Sequence, residues 1–432
     1  MRCNQLTRAP ICSACAIAIA IMPVPAKAES LGDAITAALQ TSAPLAAQRA
    51  QLAATHEDIS IAHAGYFPRL TLSGTATASN NPALPGAATG ITLGQSSYGY
   101  SANLEQPVFD GFRTDSAVAE ATYNEQAATQ DERAATQAAI QDAVTAYLDV
   151  VRDRTNLQLR RKTVQMLLAD LAAISERLAH GDASRTDVDQ TAARLATARV
   201  NEAAAEAGLD TSQASFEQAI GHPPEALAAP PVPEALLPHS RLAARAAAAK
   251  DNPDLLAARY RERAAKQSVH KVEADLLPQV SLRASYSHNY GNLAAGTDYE
   301  DARAMAEVVL PVSLGGETIF KLRRARLVVR QRAAETQNRQ AQIRTRIDAS
   351  WAALEAARRQ LEANAQAGLA SERALQGVRK QRRNGDKTTL DVLNAEQDLI
   401  EARLRTAQVR HDMIAAAYAL LAGTGALAPS AH

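Results

Sequence analysis

Apolar positions change their spacing along this chain in one order, and the order occurs twice. From about Leu31 to Ala64 they recur at helical spacing and predict a lead-in helix. Strict alternation follows: Leu70, Leu72, Gly74, Ala76 and Ala78 share one face, Thr71, Ser73, Thr75, Thr77 and Ser79 the other. That period of two predicts a strand from Leu70 to Ser79, and Tyr98, Tyr100, Ala102 and Leu104 predict its return. From Phe112 to His180 the period is helical again, with no Gly or Pro in between. A helix of roughly 70 residues, rising about 1.5 Å per residue, would be on the order of 100 Å long.

The second pass begins with a lead-in helix over about Arg241 to Ala274. Val280, Leu282, Ala284 and Tyr286 then alternate with Ser281, Arg283, Ser285 and Ser287, and Ala302, Ala304, Ala306 and Val308 mark the return strand. Local sequence repeats too, since Phe67-Pro68-Arg69-Leu70-Thr71-Leu72-Ser73 resembles Leu277-Pro278-Gln279-Val280-Ser281-Leu282-Arg283. Pro107-Val108 with Gly111 recurs as Pro311-Val312 with Gly315. Gly181-Asp182 with Asp187-Val188 recurs as Gly385-Asp386 with Asp391-Val392. These later pairs are closer together than the first, which puts a shorter loop in copy two, between Tyr290 and Tyr299. The second long helix carries Gly368 and Gly377, where it is expected to bend or loosen.

Turns at Gly181 and Gly385 should lead into return helices beginning near Asp187 and Asp391. Leu157, Val164, Leu171 and Leu178 recur every seventh residue. So do Val188, Leu195, Leu209 and Phe216, interrupted by Glu202, and Val392, Leu399, Met413 and Leu420, interrupted by Thr406. Sevenfold spacing on antiparallel neighbours predicts coiled coils. Prolines from Pro223 to Pro238 make residues 222–240 an irregular connector between a first repeat, 29–221, and a second, 241–423, with 424–432 as a tail. The expected fold class is mainly α with a small β part.

Composition then narrows where such a chain works. Arg2 and Arg8 precede an apolar run from Ile11 to Met22, and Ala26-Lys27-Ala28 offers a cleavage site, so residues 1–28 read as a secretory signal peptide. All three cysteines, Cys3, Cys12 and Cys15, fall inside it, which removes disulfide and thiol chemistry from the mature chain and leaves no lipid-bearing cysteine. Loss of Arg2, Arg8 and Lys27 turns 46 Lys+Arg against 46 Asp+Glu into a net charge of about −3, and nothing in that balance suggests nucleic acid. Aromatics are scarce and alanine is abundant, as slender, closely packed helices require.

No apolar run is long enough for a spanning helix, so a membrane would be crossed by strands. Strands of about ten residues suffice at a tilt. Two hairpins are too few to close a barrel and would leave open edges in lipid, so the chain should oligomerise. Tyr66, Tyr98, Tyr100, Tyr286, Tyr290 and Tyr299 sit at strand ends, as a girdle at the membrane interface would.

Enzyme chemistry finds little support. His56-Glu57 lacks a second histidine four residues after the first, and His56 and His63 read as solvated helix residues rather than a metal site. Gly423-Thr424-Gly425 ends a helix and makes no phosphate cradle. No catalytic residue and no cofactor is expected. A periplasmic coiled-coil adaptor or structural protein of the envelope would share the signal peptide and heptads, but would not need two hairpins of bilayer length.

Signal peptide, duplicated lead-in, hairpin, long helix, Gly turn and return helix together resemble the TolC-like outer-membrane efflux proteins over nearly the whole mature chain. The most specific match is Gly385-Asp386-Lys387-Thr388-Thr389-Leu390-Asp391-Val392-Leu393-Asn394-Ala395, with Gly181 to Val188 its weaker first-copy version. The resemblance implies a homotrimer whose four strands per chain close one twelve-stranded outer-membrane barrel on a helical periplasmic tunnel. It implies engagement at the tips by a periplasmic adaptor and an inner-membrane transporter, with small toxic compounds or a secreted protein as cargo. It also implies a gate, in which Lys387 and Arg382 reach toward Thr186 and Asp187 while Asp391 projects into the lumen. Here Lys387 stands where the family usually has arginine, Arg382 where a tyrosine can occur, and Asn394 where a second acid would double the ring's charge. Capping of the return helices is the other role open to Asp187 and Asp391.

Overall fold

A computed structural model describes residues 28–78, 96–290, 298–312 and 315–427. The signal peptide but for Ala28, Ser79 and the loop between Tyr290 and Asp298 lie outside the described residues. Copy one is α1 (Leu31–Thr41), α2 (Ala43–His63), β1 (Arg69–Ala78), β2 (Ser96–Phe109), α3 (Arg113–Ala179) and α4 (Arg185–Ile220). Copy two is α5 (Arg241–Asp251), α6 (Pro253–Glu273), β3 (Gln279–Tyr290), β4 (Asp298–Val309), α7 (Glu317–Arg383) and α8 (Thr389–Thr424). Corresponding helices have equal lengths: 11, 21, 67 and 36 residues.

One expectation needs correction. Each lead-in is a pair of helices, broken at Ser42 and at Asn252. Both residues are extended, both cap the following helix through the side chain, and Pro44 or Pro253 follows in its first turn. The glycines of α7, in contrast, do not interrupt it, because Gly368 and Gly377 sit in a helix already committed by 67 residues of ladder and have only open space around them.

The heptads pack as expected. Leu157, Val164, Leu195, Phe216, Val392, Leu399, Met413 and Leu420 are buried, and the interrupting Glu202 instead faces Arg161 at 3.7 Å. The largest core lies midway along the helices, where α1, α3, α4, α5, α7 and α8 converge on Tyr147, Phe216, Ile347 and Ile414. Tyr147 is fully buried, and its hydroxyl lies 2.8 Å from the Glu29 carbonyl oxygen and 2.6 Å from that of Ala228. Glu29 pairs with the connector in parallel, its N–H donating to the Ala226 carbonyl at 2.8 Å. The Pro-rich segment is thereby tied against the helices at mid-height.

Among the described residues the four strands form one antiparallel sheet in the order β1-β2-β3-β4, and the outer edges of β1 and β4 have no partner there. Register places Leu72, Ala102, Tyr286 and Ala302 on one face and Ser73, Ser101, Ser287 and Asp301 on the other. On the apolar face Tyr98 stacks on Tyr290 at 4.8 Å and Tyr100 on His288 at 5.1 Å. Tyr299 lies opposite Asn289, hence on the polar face, and Tyr66 lies at the helical end of the sheet, donating to Asp115 at 2.8 Å. The outer tyrosine cluster is therefore Tyr98, Tyr100, Tyr286 and Tyr290. On the polar face Arg283 pairs with Glu105 at 3.2 Å and with Glu307 at 2.5 Å.

Entry into each long helix uses a left-handed residue. Gly316 supplies it for α7, but Phe112 does so for α3 at φ 66°, a conformation that costs a non-glycine residue about 1 kcal/mol.

Candidate functional site

The two tips farthest from the sheet are built alike. Gly181 and Gly385 have φ of 83° and 86°, and each closes its long helix with paired backbone bonds. Asp182 N–H donates to the Arg177 carbonyl at 2.9 Å, and Asp386 N–H to that of Gln381 at 3.0 Å. Return helices then start with reciprocal caps. Ser184 Oγ accepts from Asp187 N–H at 3.1 Å while the Asp187 carboxylate accepts from Ser184 N–H at 3.1 Å. Thr388 and Asp391 repeat the exchange at 3.2 and 2.9 Å. Ser184 and Thr388 are thus the N-caps, and the two aspartates are their third-position partners. Hydrogen bonds from Ser184 hold the Asp187 pKa below the usual carboxylate range, and those from Thr388 do the same for Asp391.

Lys387 Nζ lies 3.8 Å from Asp391 Oδ1, so within one chain this lysine faces its own helix start. Thr186 is exposed and Arg382 half-buried beside the turn; among the described residues neither Arg382 nor Lys387 bonds to Thr186 or Asp187. Near the tips the copies are joined by a hydrogen bond from Arg194 Nη2 to Asn394 Oδ1 at 2.8 Å and by Leu393 packed with Leu195 and Ala198. Two residues further along α8, Glu396 is buried and accepts from Arg379 at 2.6 Å. A groove of about 170 Å³ between α3, α4 and α8 is lined there by Arg160, Met166, Arg194 and Glu396. Sequence reading missed Arg194 and Arg379. The signal for Arg194 was its place seven residues after Asp187, on the same stripe of α4.

His56 Nδ1 is 3.8 Å from Glu125 Oε1, and the His63 ring is 6.0 Å from that of Tyr66. The two histidines thus meet different neighbours.

Long paired helices ending in tight glycine turns, joined to a sheet with one apolar and one polar face, define a channel that crosses the outer membrane as strands and the periplasm as helices. The chain belongs to the outer membrane efflux protein family, whose model matches residues 34–222 and again 245–426, once per copy. It is 35% identical over 403 residues to the outer membrane efflux protein BepC of Brucella suis, covering 93% of this chain and 86% of that protein. It is 25% identical over 341 residues to the alkaline protease secretion protein AprF of Pseudomonas aeruginosa, covering 74% and 68%. Among solved structures, the CmeC outer membrane channel of Campylobacter jejuni superposes with a TM-score of 0.81 at 15% identity, over 92% of this chain and 85% of that one.

The protein is accordingly an outer-membrane exit duct with its helical body in the periplasm. The adaptor alternative falls with this assignment.

Proposed function

We propose that three copies assemble into a twelve-stranded barrel continuous with a tunnel of helices, and that the tunnel opens at its tips when a periplasmic adaptor and an inner-membrane transporter engage it. The observation that carries this reading is the sheet, whose edges β1 and β4 are unpaired while Leu70, Leu72, Tyr98 and Val308 stand exposed on one face. Its cargo is what the transporter delivers, either small toxic compounds or a secreted protein.

In the closed state Asp391 contributes one carboxylate per chain to a ring at the narrowest point, Asn394 is held aside by Arg194, and Lys387 and Arg382 are available to Thr186 and Asp187 of the adjoining hairpin. Conductance in planar bilayers tests the gate. Asp391→Ala should weaken cation selectivity. Arg194→Ala, or Asp187→Ala with Lys387→Ala, should raise conductance. Unchanged selectivity and conductance in all of these would leave the aspartates as capping-box partners of Ser184 and Thr388 alone. Deleting the gene should change drug sensitivity or the secreted protein profile, and no change in either would remove the export role.

A further inference from the structure

The two copies are tied together differently above mid-height and below it. Above, the seam between α3 and α6 is closed by ion pairs whose cations keep their charge near neutral pH. Lys271 Nζ lies 2.6 Å from Glu120 Oε2, Arg261 pairs with Asp131, and Arg113 lies 3.1 Å from Asp275. Below, the copy-two hairpin of α7 and α8 meets copy one chiefly through α8 against α3. Near the tip that hairpin is held by Arg194 on the neutral Asn394. At mid-height it is held by a histidine: among the described residues, His411 with Asp149 is the one ion pair between α3 and α8.

The pair is nearly enclosed. The His411 side chain is 12% exposed, with Nε2 3.0 Å from Asp149 Oδ1 and Nδ1 2.9 Å from Asp412 Oδ1. On α3, Arg152 also faces the ring and lies 2.7 Å from Asp149. The connector contributes Ala229 and Pro230, which carry no charge, and α8 contributes Arg403 and Arg410. These residues border a groove of about 280 Å³ that reaches His411 and gives water a route to the ring. The repeat places Ala207 where α8 has His411, and Ala353 where α3 has Asp149, so the pair belongs to this seam alone and is no relic of the duplication.

Protonation decides whether the tie exists. The Nε2 contact lies off the hydrogen-bonding direction, so its attraction is Coulombic and goes with the proton. Burial works against the charged ring, but Asp149 and Asp412 outweigh it and raise the pKa from the ordinary 6.5. The ring is therefore charged below about pH 6.5 and loses its charge as pH rises through the raised value. Position adds leverage. From Asp391 to His411 α8 rises about 30 Å, so a turn of the hairpin by about 10° at this level would move the tip by roughly 5 Å.

We propose that His411 and Asp149 form a proton-operated latch: the charged ring ties the copy-two hairpin to α3 and favours a closed tip, and loss of the proton frees α8 to swing outward. His411 acts here as a positioning residue, through the seam and not on the cargo. The latch rests on the gate described under the proposed function.

The test is open-state occupancy of the full channel in planar bilayers as pH is raised from about 6 to about 9. In the native protein occupancy should rise about threefold or more. His411→Phe and Asp149→Asn should be flat and high, whereas His411→Lys, whose cation stays charged over most of the range, should stay low. Asp187 and Asp391, with pKa values held below the carboxylate range, stay ionised throughout and add no slope. His180, at the end of α3, is present in every variant, so a slope that persists in His411→Phe belongs elsewhere. A flat native profile, a persistent slope in His411→Phe, or a His411→Lys channel as open as His411→Phe overturns the latch and leaves the gate standing. If Asp187→Ala with Lys387→Ala also leaves conductance unchanged, the gate falls with it.

Discussion

Helices α3 and α7 have the same length and start and end in the same way, yet 19 residues of α3 are buried and 5 of α7 are. Propensity does not explain the difference, because both are uninterrupted helices of 67 residues. Surroundings do: α3 lies between the lead-ins of both copies, α2 on one flank and α6 on the other, whereas among the described residues α7 packs against the lead-in of its own copy, α5 and α6. A duplicated chain thus completes one copy internally and leaves the other to be completed by a neighbour. The consequence is that equivalent substitutions in the two copies should report different things, one the folding of the chain and the other its assembly.

The largest contrast is expected at mid-height, where Tyr147 of α3 corresponds to Trp351 of α7. Tyr147 is fully buried against Phe216 and the connector, so Tyr147→Ala should cost about 3–5 kcal/mol per chain, seen as a lowered thermal midpoint. Trp351 only lines the same core, and Trp351→Ala should cost clearly less. Equal losses would mean that the two copies are equally closed.

Next comes the seam between α3 and α6. Ala127 is 2% exposed, and Ala127→Asp should destabilise the chain by more than about 2 kcal/mol, since a carboxylate is taken out of water there. Its counterpart Gln331→Asp should leave helical circular dichroism unchanged and reduce only the oligomer. Loss of helix in both variants would remove the distinction between an internal and an external seam.

A smaller effect is expected at the tips, where the copies are most alike. Ser184→Ala removes an N-cap and should cost about 1 kcal/mol of local stability, read as faster amide exchange over the first turns of α4. Thr388→Ala should do the same at α8. Asymmetry between the two would locate the gate in the copy that responds more.

The smallest concerns pH. His411 of α8 has its ring nitrogens 3.0 Å from Asp149 of α3 and 2.9 Å from Asp412, while copy one has Ala207 at the matching place. The Nε2 contact is an ion pair off the hydrogen-bonding direction. Burial works to lower the His411 pKa and Arg152 opposes protonation too, but the two carboxylates outweigh them and it is raised from 6.5. The folded ring therefore keeps its proton where the unfolded one has lost it. Its contribution is complete below about pH 6.5 and is lost as pH rises through the raised value. Stability of the α3–α8 contact should accordingly fall as pH rises above about 6.5 in the native protein and not in His411→Phe; a parallel pH profile in the two would exclude the histidine.

Much of the fold was legible because it is periodic. Alternation at Leu70 to Ala78 and heptads at Leu157 and Val392 are local statements about which face is apolar, and the duplication allowed each to be checked against its copy. The breaks at Ser42 and Asn252 were legible as well, in a capping residue with proline close behind, but a lead-in read for its apolar spacing alone runs through them. Gly368 and Gly377 show the reverse, since helical ladder on both sides outweighs a local penalty of about 1 kcal/mol each.

Strand pairing, which puts Tyr299 on the polar face, and the lateral order of helices, which brings Arg194 to Asn394 and leaves α7 with a bare flank, depend on which elements stand side by side. The sequence by itself determined the elements, their duplication, the turns at Gly181 and Gly385 and the membership in an outer-membrane channel family. Tertiary structure decided which seams close within one chain and which residues meet across the tips, because a heptad states that a helix has a partner face without stating whose helix covers it.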